Sequence, residues 1–222
     1  MFEENFKNIE LTNGEIFFLA AELKLEKIIG LGIDYEAMNK ETKMEFKQES
    51  YDWLQKHEAI QMDFSGNTVV NNNYATVIKA FEKPERCVIV QHKDVKNDIS
   101  DMRKIYLNNS IYTALEYVDE NVCQVYEFSN GLDSNKFILF NLNIDVKDEN
   151  ASKPDSKNFE TVEAVIKESK EFAIITEYVL RNGNYQYIES IYVNISDVWY
   201  YLESDNENNI NANPVTEEVT IF

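Results

Sequence analysis

The apolar positions along this chain change their period part-way through it. In the first third they recur every three or four residues, the spacing of a helix face. Thr12-Asn13-Gly14-Glu15 fits a capping box, and Ile16, Leu19, Ala20 and Leu23 follow at helical spacing. Gly30 and Gly32, in "IIGLGIDYE", end that helix. The pattern predicts a second helix over 41–57, with Met44, Tyr51 and Leu54 on one face, and a third in "NYATVIKAFEK", with Val77, Ala80 and Phe81 inward and Pro84 beyond its end. Between them "IQMDFSGNTVVN" reads as a short hairpin turning at Ser65-Gly66-Asn67.

From residue 86 the period shortens to two. "RCVIVQHK" (86–93) reads as a strand and "DVKNDISD" as a polar connection. Residues 103–129 read as three strands, turning at Asn108-Asn109 and at Asp119-Glu120-Asn121. "KFILFNLNIDVK" (136–147) fits a strand or a helix start, and "DENASKPDSKN" (148–158) is a loop. "FETVEAVIKESK" (159–170) predicts a helix with Val162, Val165 and Ile166 on one face. Asn182-Gly183, the dipeptide of a type I′ turn, makes 172–195 a hairpin. Ser196 is expected to cap a short helix, "DVWYYLES"; "DNENNINANP" reads as a polar loop and "VTEEVTIF" as a returning strand. Runs of adjacent strands, without strand–helix alternation, imply an α+β fold. The expected division is a helical part with a small β-hairpin over 1–86 and an antiparallel sheet with C-terminal helices over 87–222, integrated as one domain.

The order helix, two-strand turn, helix, strand over 51–93 has the outline of a winged helix, a common DNA reader. Charge speaks against that reading. The formal net charge is −19, split −6 over residues 1–86 and −13 over the rest, with no basic stripe in either part. Such a chain repels a phosphate backbone. The acidic start, "MFEENFKNIE", does not read as a signal peptide, and no apolar run approaches a membrane span. A cytoplasmic protein with no membrane insertion is expected, with Cys87 and Cys123 as buried free thiols.

Motifs for chemistry are missing from the sequence: it holds no phosphate-binding glycine loop, G-x-S-x-G, H-E-x-x-H or C-x-x-C. His92 lies five residues after Cys87, which puts the two on opposite faces of one strand, and His57 ends an amphipathic helix in a structural role. "DVKNDISD" and "ESDNENN" lack a calcium loop's glycine and read as solvated acidic loops. No enzyme, cofactor or metal is expected. Aromatics are the better clue. Tyr106, Tyr112, Tyr117 and Tyr126 in the central strands, with Tyr185 and Tyr187 in the last hairpin, are a set of tyrosines suited to bind a protein partner. For any one of them, ordinary sheet packing is the competing reading.

The N-terminal residues resemble a known family. Leu11-Thr12-Asn13-Gly14-Glu15, Trp53-Leu54 through Ile60, Asp63-Phe64-Ser65-Gly66, Val77-Ile78-Lys79-Ala80-Phe81 and Lys83-Pro84-Glu85-Arg86 follow the order and spacing of the EspG proteins, the chaperones of type VII (ESX) secretion. They also follow the EsaE-like counterparts in low-GC Gram-positive bacteria. The likeness in order and spacing covers about the first 95 residues; further on it is one of pattern, ending in "IYVNISDVWYYL", where the family has a strand entering a final helix. His57-Glu58 stands where actinobacterial members usually have Arg-Gly.

The resemblance implies an antiparallel sheet flanked by helical bundles in a quasi-two-fold arrangement. It also implies a cytosolic, non-catalytic escort that binds the apolar tip of helical secretion substrates and keeps them soluble for the secretion machinery. The acidic composition leaves a second class open: an immunity protein that neutralises a secreted toxin, such as a nuclease, by mimicking phosphate charge. A small hydrolase built on a carboxylate pair is a distant third. The partner is thus a helical secreted protein or a toxin, and neither nucleic acid nor oligomeric state enters the reading.

Overall fold

A computed structural model describes residues 7–25, 37–108, 111–119, 122–128, 155–205 and 209–215. The fold is α+β: ten antiparallel sheet strands, a separate two-stranded hairpin and four helices among the described residues. The chain divides into two compact units. One holds Met1–Cys87 and Ile105–Asn130, the other Val88–Lys104 and Gly131–Phe222. The first unit thus combines the N-terminal residues with a second stretch that begins at Ile105.

In the first unit β1 (Lys7–Thr12) leads into α1 (Asn13–Glu22). The capping box is real: Glu15 N–H donates to Thr12 Oγ1 at 3.2 Å, and Thr12 N–H donates to Glu15 Oε2 at 2.7 Å. Glu15 is buried, and that burial raises its pKa although both Thr12 contacts lower it. Ile16, Leu19 and Ala20 are buried, as their spacing predicts. Gly14 admits the ring of Phe46 so closely that a Cβ there would stand 2.9 Å from its Cε2.

Next come α2 (Lys40–Lys56), β2 (Ile60–Met62), β3 (Thr68–Val70) and α3 (Asn72–Lys79). Leu54 is buried in α2, but Met44, expected on the same face, is 64% exposed. Helical spacing alone does not say how far along a helix its neighbours reach. Val77, Ala80 and Phe81 are buried as expected, the last two just beyond the end of α3. The β2–β3 turn carries Gly66 at φ +80 and is held by Asp63, whose Oδ1 accepts from the backbone N–H of Ser65 and of Asn67, each at 2.8 Å.

The strands β4 (Arg86–Asp94), β5 (Ile99–Asn108), β6 (Ile111–Tyr117) and β7 (Val122–Phe128) fall close to where alternation puts them. Ile99, Ser100 and Asp101 are a correction: they belong to β5, not to a polar connection, which narrows to 95–98. β1 is a strand the apolar pattern did not single out. It pairs along the whole of β7, from Lys7↔Glu127 to Thr12↔Val122. The strand order in this unit is β1-β7-β6-β5. Leu11, Leu115, Cys123 and Val125 are buried on one face of it, and on that face Thr113 Oγ1 donates to the carbonyl of Val77 at 3.4 Å. Fully burying side chains of this size contributes roughly 1.5–3 kcal/mol each. Cys87 and Cys123 are both buried free thiols, and Cys123 Sγ donates to the Leu11 carbonyl.

In the second unit the described strand order is β5-β4-β9-β10-β11-β12-β8. β8 is Lys157–Phe159, followed by α4 (Val162–Glu168), β9 (Glu171–Arg181), β10 (Asn184–Ile195), β11 (Val198–Ser204) and β12 (Ile210–Pro214). Asn182 and Gly183 stand at φ 52 and 79, the two left-handed residues of a type I′ turn. Ser196 caps no helix. Ser196 and Asp197 have φ 55 and 64, a second turn of the same kind, and the Val-Trp-Tyr-Tyr run after them continues as β11. β-branched and aromatic residues fit a pleated surface better than a helix. The stretch read as a polar loop, 205–214, likewise contains β12. Val165 of α4 covers the face that carries Val193, Ile195, Tyr200, Ile210 and Ala212. The readings of "IIGLGIDYE" and "KFILFNLNIDVK", and all of "VTEEVTIF" but Val215, lie outside the described residues.

Candidate functional site

Six tyrosines carry the expectation of a partner-binding face; four of them lie in the first unit and two in the second. Tyr106 is 0% exposed and packs edge-on against Phe81, ring centroids 4.6 Å apart. It is a core residue, and burial drives its phenol pKa well above the ordinary value. Tyr117 shares the helix-covered face with Cys123, its cross-strand partner, and its hydroxyl donates to Asn13 Oδ1 at 3.0 Å. Burial pushes its pKa up to about 12.

Tyr112 and Tyr126 lie on the opposite face of the same strands, opposite Phe128 and Ala114 respectively. Both are half-buried. The Tyr126 hydroxyl donates to Gln124 Oε1 at 2.6 Å and lies 3.2 Å from Glu116 Oε2, so its polar end sits within a polar network, while Phe128 and Ala114 on the same face are buried.

Tyr185 and Tyr187 occupy the distal part of β10 in the second unit, where Tyr187 pairs with Tyr178 and the two rings tilt against each other at 5.9 Å. Tyr187 is 69% exposed and Ile188 63%. In the first unit a further surface lies at the β2–β3 hairpin. Met62, Phe64 and Val69 are exposed there, beside an open cleft of about 710 Å³ lined by Glu58, Ile60, Met62, Val70 and Asn71 among others.

One cluster escaped the sequence reading altogether. On β4, His92 Nε2 lies 3.1 Å from Glu171 Oε2 of β9, a hydrogen-bond distance, while Nδ1 lies 3.5 Å from Asp101 Oδ1 of β5, an ion-pair distance. Asp101 also takes Arg103 Nη2 at 2.8 Å. The Asp101 carboxylate does most to raise the His92 pKa, burial opposes it, and Glu171 adds to the rise. Burial pushes Asp101 up, yet His92 and Arg103 together hold it below its usual range. Trp199 stands 6.4 Å from His92, ring centroid to ring centroid. The readable signal is a lone histidine inside a strand; its carboxylate partners come from β5 and β9, and no local spacing joins them to it.

His57, by contrast, closes α2. It stacks on Trp53 at 3.8 Å and its Nδ1 lies 2.9 Å from the Trp53 carbonyl, a structural role as expected.

The acidic loops turn their carboxylates inward on themselves. Asp94 Oδ1 accepts from the backbone of Lys96 and Asn97, and Asp205 Oδ1 from that of Asn209. Bonds from Asn97 lower the Asp94 pKa, and Asn67 does the same for Asp63. Among the described residues no group of histidine, cysteine and carboxylate side chains is arranged to hold a metal ion. No described helix is long and apolar enough to cross a membrane. The exposed apolar side chains Met62, Phe64, Val69, Tyr187 and Ile188 lie at two hairpins, β2–β3 and β9–β10, on an α+β scaffold.

That scaffold has a known counterpart. The chain superposes on the Mycobacterium tuberculosis type VII secretion system chaperone EspG5, solved in complex with a PE25–PPE41 dimer, with a TM-score of 0.62 over 95% of this chain and 91% of that one. Identity is 11%, so the likeness is one of fold. It agrees with the EspG-like pattern of the N-terminal residues. No protein-family model and no curated protein matches the sequence.

Proposed function

We propose that this chain is a cytosolic chaperone or adaptor of type VII secretion, one that binds helical secretion substrates and keeps them soluble for delivery. The observation that carries the reading is the EspG5 likeness, which spans nearly the whole of both chains. The EspG-like order of motifs over the first 95 residues supports it independently. Binding without catalysis agrees with a sequence that holds none of the common catalytic motifs.

Partner contact falls on the tyrosines that remain accessible. These are Tyr112 and Tyr126, half-buried on β6 and β7, and Tyr185 and Tyr187 on β10; Tyr106, in the core, and Tyr117, on the helix-covered face, are left out. Copurification of the tagged full chain from its native cytosol, followed by mass spectrometry, tests the reading. A helical secretion substrate retained at high salt is the expected result, and the Tyr112→Ala, Tyr126→Ala double variant should retain about tenfold less of it. A basic toxin domain in its place would give the immunity reading instead.

A further inference from the structure

The strand β10 has a side that β11 covers only in part. β10 pairs with β9 over its whole length, from Asn184↔Arg181 to Asn194↔Glu171, but with β11 only from Tyr192↔Tyr201 to Ile195↔Val198. Beyond Tyr201, β11 continues against β12. Among the described residues, the part of β10 before Tyr192 therefore has a strand on one side alone.

The turn fixes which backbone groups face the open side. Arg181 and Asn184 flank a two-residue loop, and residues in that position exchange both of their hydrogen bonds. Alternation then assigns the even residues of β10 to β9 and turns the N–H and C=O of the odd ones outward. The β10–β11 turn agrees, since its flanking residue on β10 is the odd Ile195. Tyr187 and Glu189 thus aim backbone donors and acceptors away from β9, beside an exposed Ile188.

Among the described residues, the edge carries one charge, Glu189, and few of the other usual protections of a strand edge. Residues 185–190 hold no proline and no lysine, and the printed register with β9 runs without a bulge. An edge of this kind is completed by an extended chain, because a helix spends its backbone groups internally. Charge selects what sort of chain. Glu189 stands on the edge itself, and the protein as a whole carries −19. A second copy meets that repulsion, whereas a basic segment meets attraction.

We propose that the open edge of β10 at Tyr187 and Glu189 is a β-augmentation site for an extended, lysine- or arginine-bearing segment of a partner protein. The inference goes beyond the chaperone reading and stands without it.

The probe is a fluorescent synthetic peptide of about nine residues, one strand's length, in which lysine alternates with valine. A control peptide has prolines in place of alternate valines and the same charge. The full chain should bind the first peptide about tenfold more tightly than the second. Tyr187→Pro removes one outward N–H and leaves the β9 ladder intact, so it should weaken binding of the first peptide about tenfold while far-ultraviolet dichroism is retained. Amide exchange on the wild-type chain gives a readout that needs no variant: the peptide should slow exchange at Tyr187 and Glu189. Equal binding of both peptides would reduce the effect to charge and overturn the proposal, as would unchanged exchange at those two amides. A dimer in sedimentation that Tyr187→Pro dissolves would assign the edge to a second copy, and would overturn it too.

Discussion

His92 joins three strands through two carboxylates, and the sign of its effect on stability follows from its raised pKa. A histidine whose folded pKa lies above its unfolded value binds its proton more tightly in the native state. The stabilisation is therefore fully present below the ordinary histidine value, about 6.5, and is lost as pH rises through the raised folded value. His92→Gln keeps a hydrogen-bonding side chain and removes the titration. In urea unfolding the variant should lie furthest below wild type near about pH 5.5 and approach it by about pH 8.5. A gap of equal size at both pH values would mean that His92 contributes packing and no charge. The groups that face it are Glu171 on β9 and Asp101 on β5, with Arg103 behind Asp101 and Trp199 alongside.

At the scale of elements, the two-residue turns decide the topology of the second unit. Gly183 at φ 79 occupies a backbone region that an L side chain enters at a cost. Its hydrogen points into open space, so Gly183→Ala should lose about 1–2 kcal/mol by backbone strain alone, with no steric contribution. Thermal unfolding measures it, and an unchanged midpoint would show that the hairpin relaxes without penalty.

The same elements show what was legible in the sequence. Asn182-Gly183 announces its turn because both residues are the ones that type I′ geometry favours. Ser196-Asp197 adopts the same geometry with residues that also begin helices, so the sequence pattern points to a helix where the fold has a turn and β11. β1 does not stand out because its six residues, which run into the capping box at Thr12, carry too short an alternation, and only β7, more than a hundred residues away, makes them a strand. The His92 cluster was hidden for a similar reason: its partners come from β5 and β9, and nothing local in the chain joins them. Of the tyrosines, composition could say that there are many, but not which face each would take. Tyr106 and Tyr112 fall in neighbouring strands, one fully buried in the core and one half-buried.

For the molecule as a whole, −19 of net charge and the chaperone role proposed above make opposite demands on a partner. If charge leads, the partner is basic, association is steered electrostatically, and affinity falls steeply as salt screens the field. If the substrate's apolar tip leads, as the chaperone reading requires, the main term is removal of apolar surface from water, which salt does not screen. Titration of the full chain with its copurified substrate at about 0.1 M and about 0.5 M salt separates the two. The chaperone reading expects the dissociation constant to stay within about threefold, with a modest drop in on-rate as steering is lost. A rise of about a hundredfold would put the binding energy in the charges and move the function to the neutralisation of a basic protein. The β10 edge belongs to neither extreme. Backbone pairing there would survive the higher salt in part, while the contribution of lysines beside Glu189 would not, so peptide and substrate should differ in their salt dependence even when both bind the same chain.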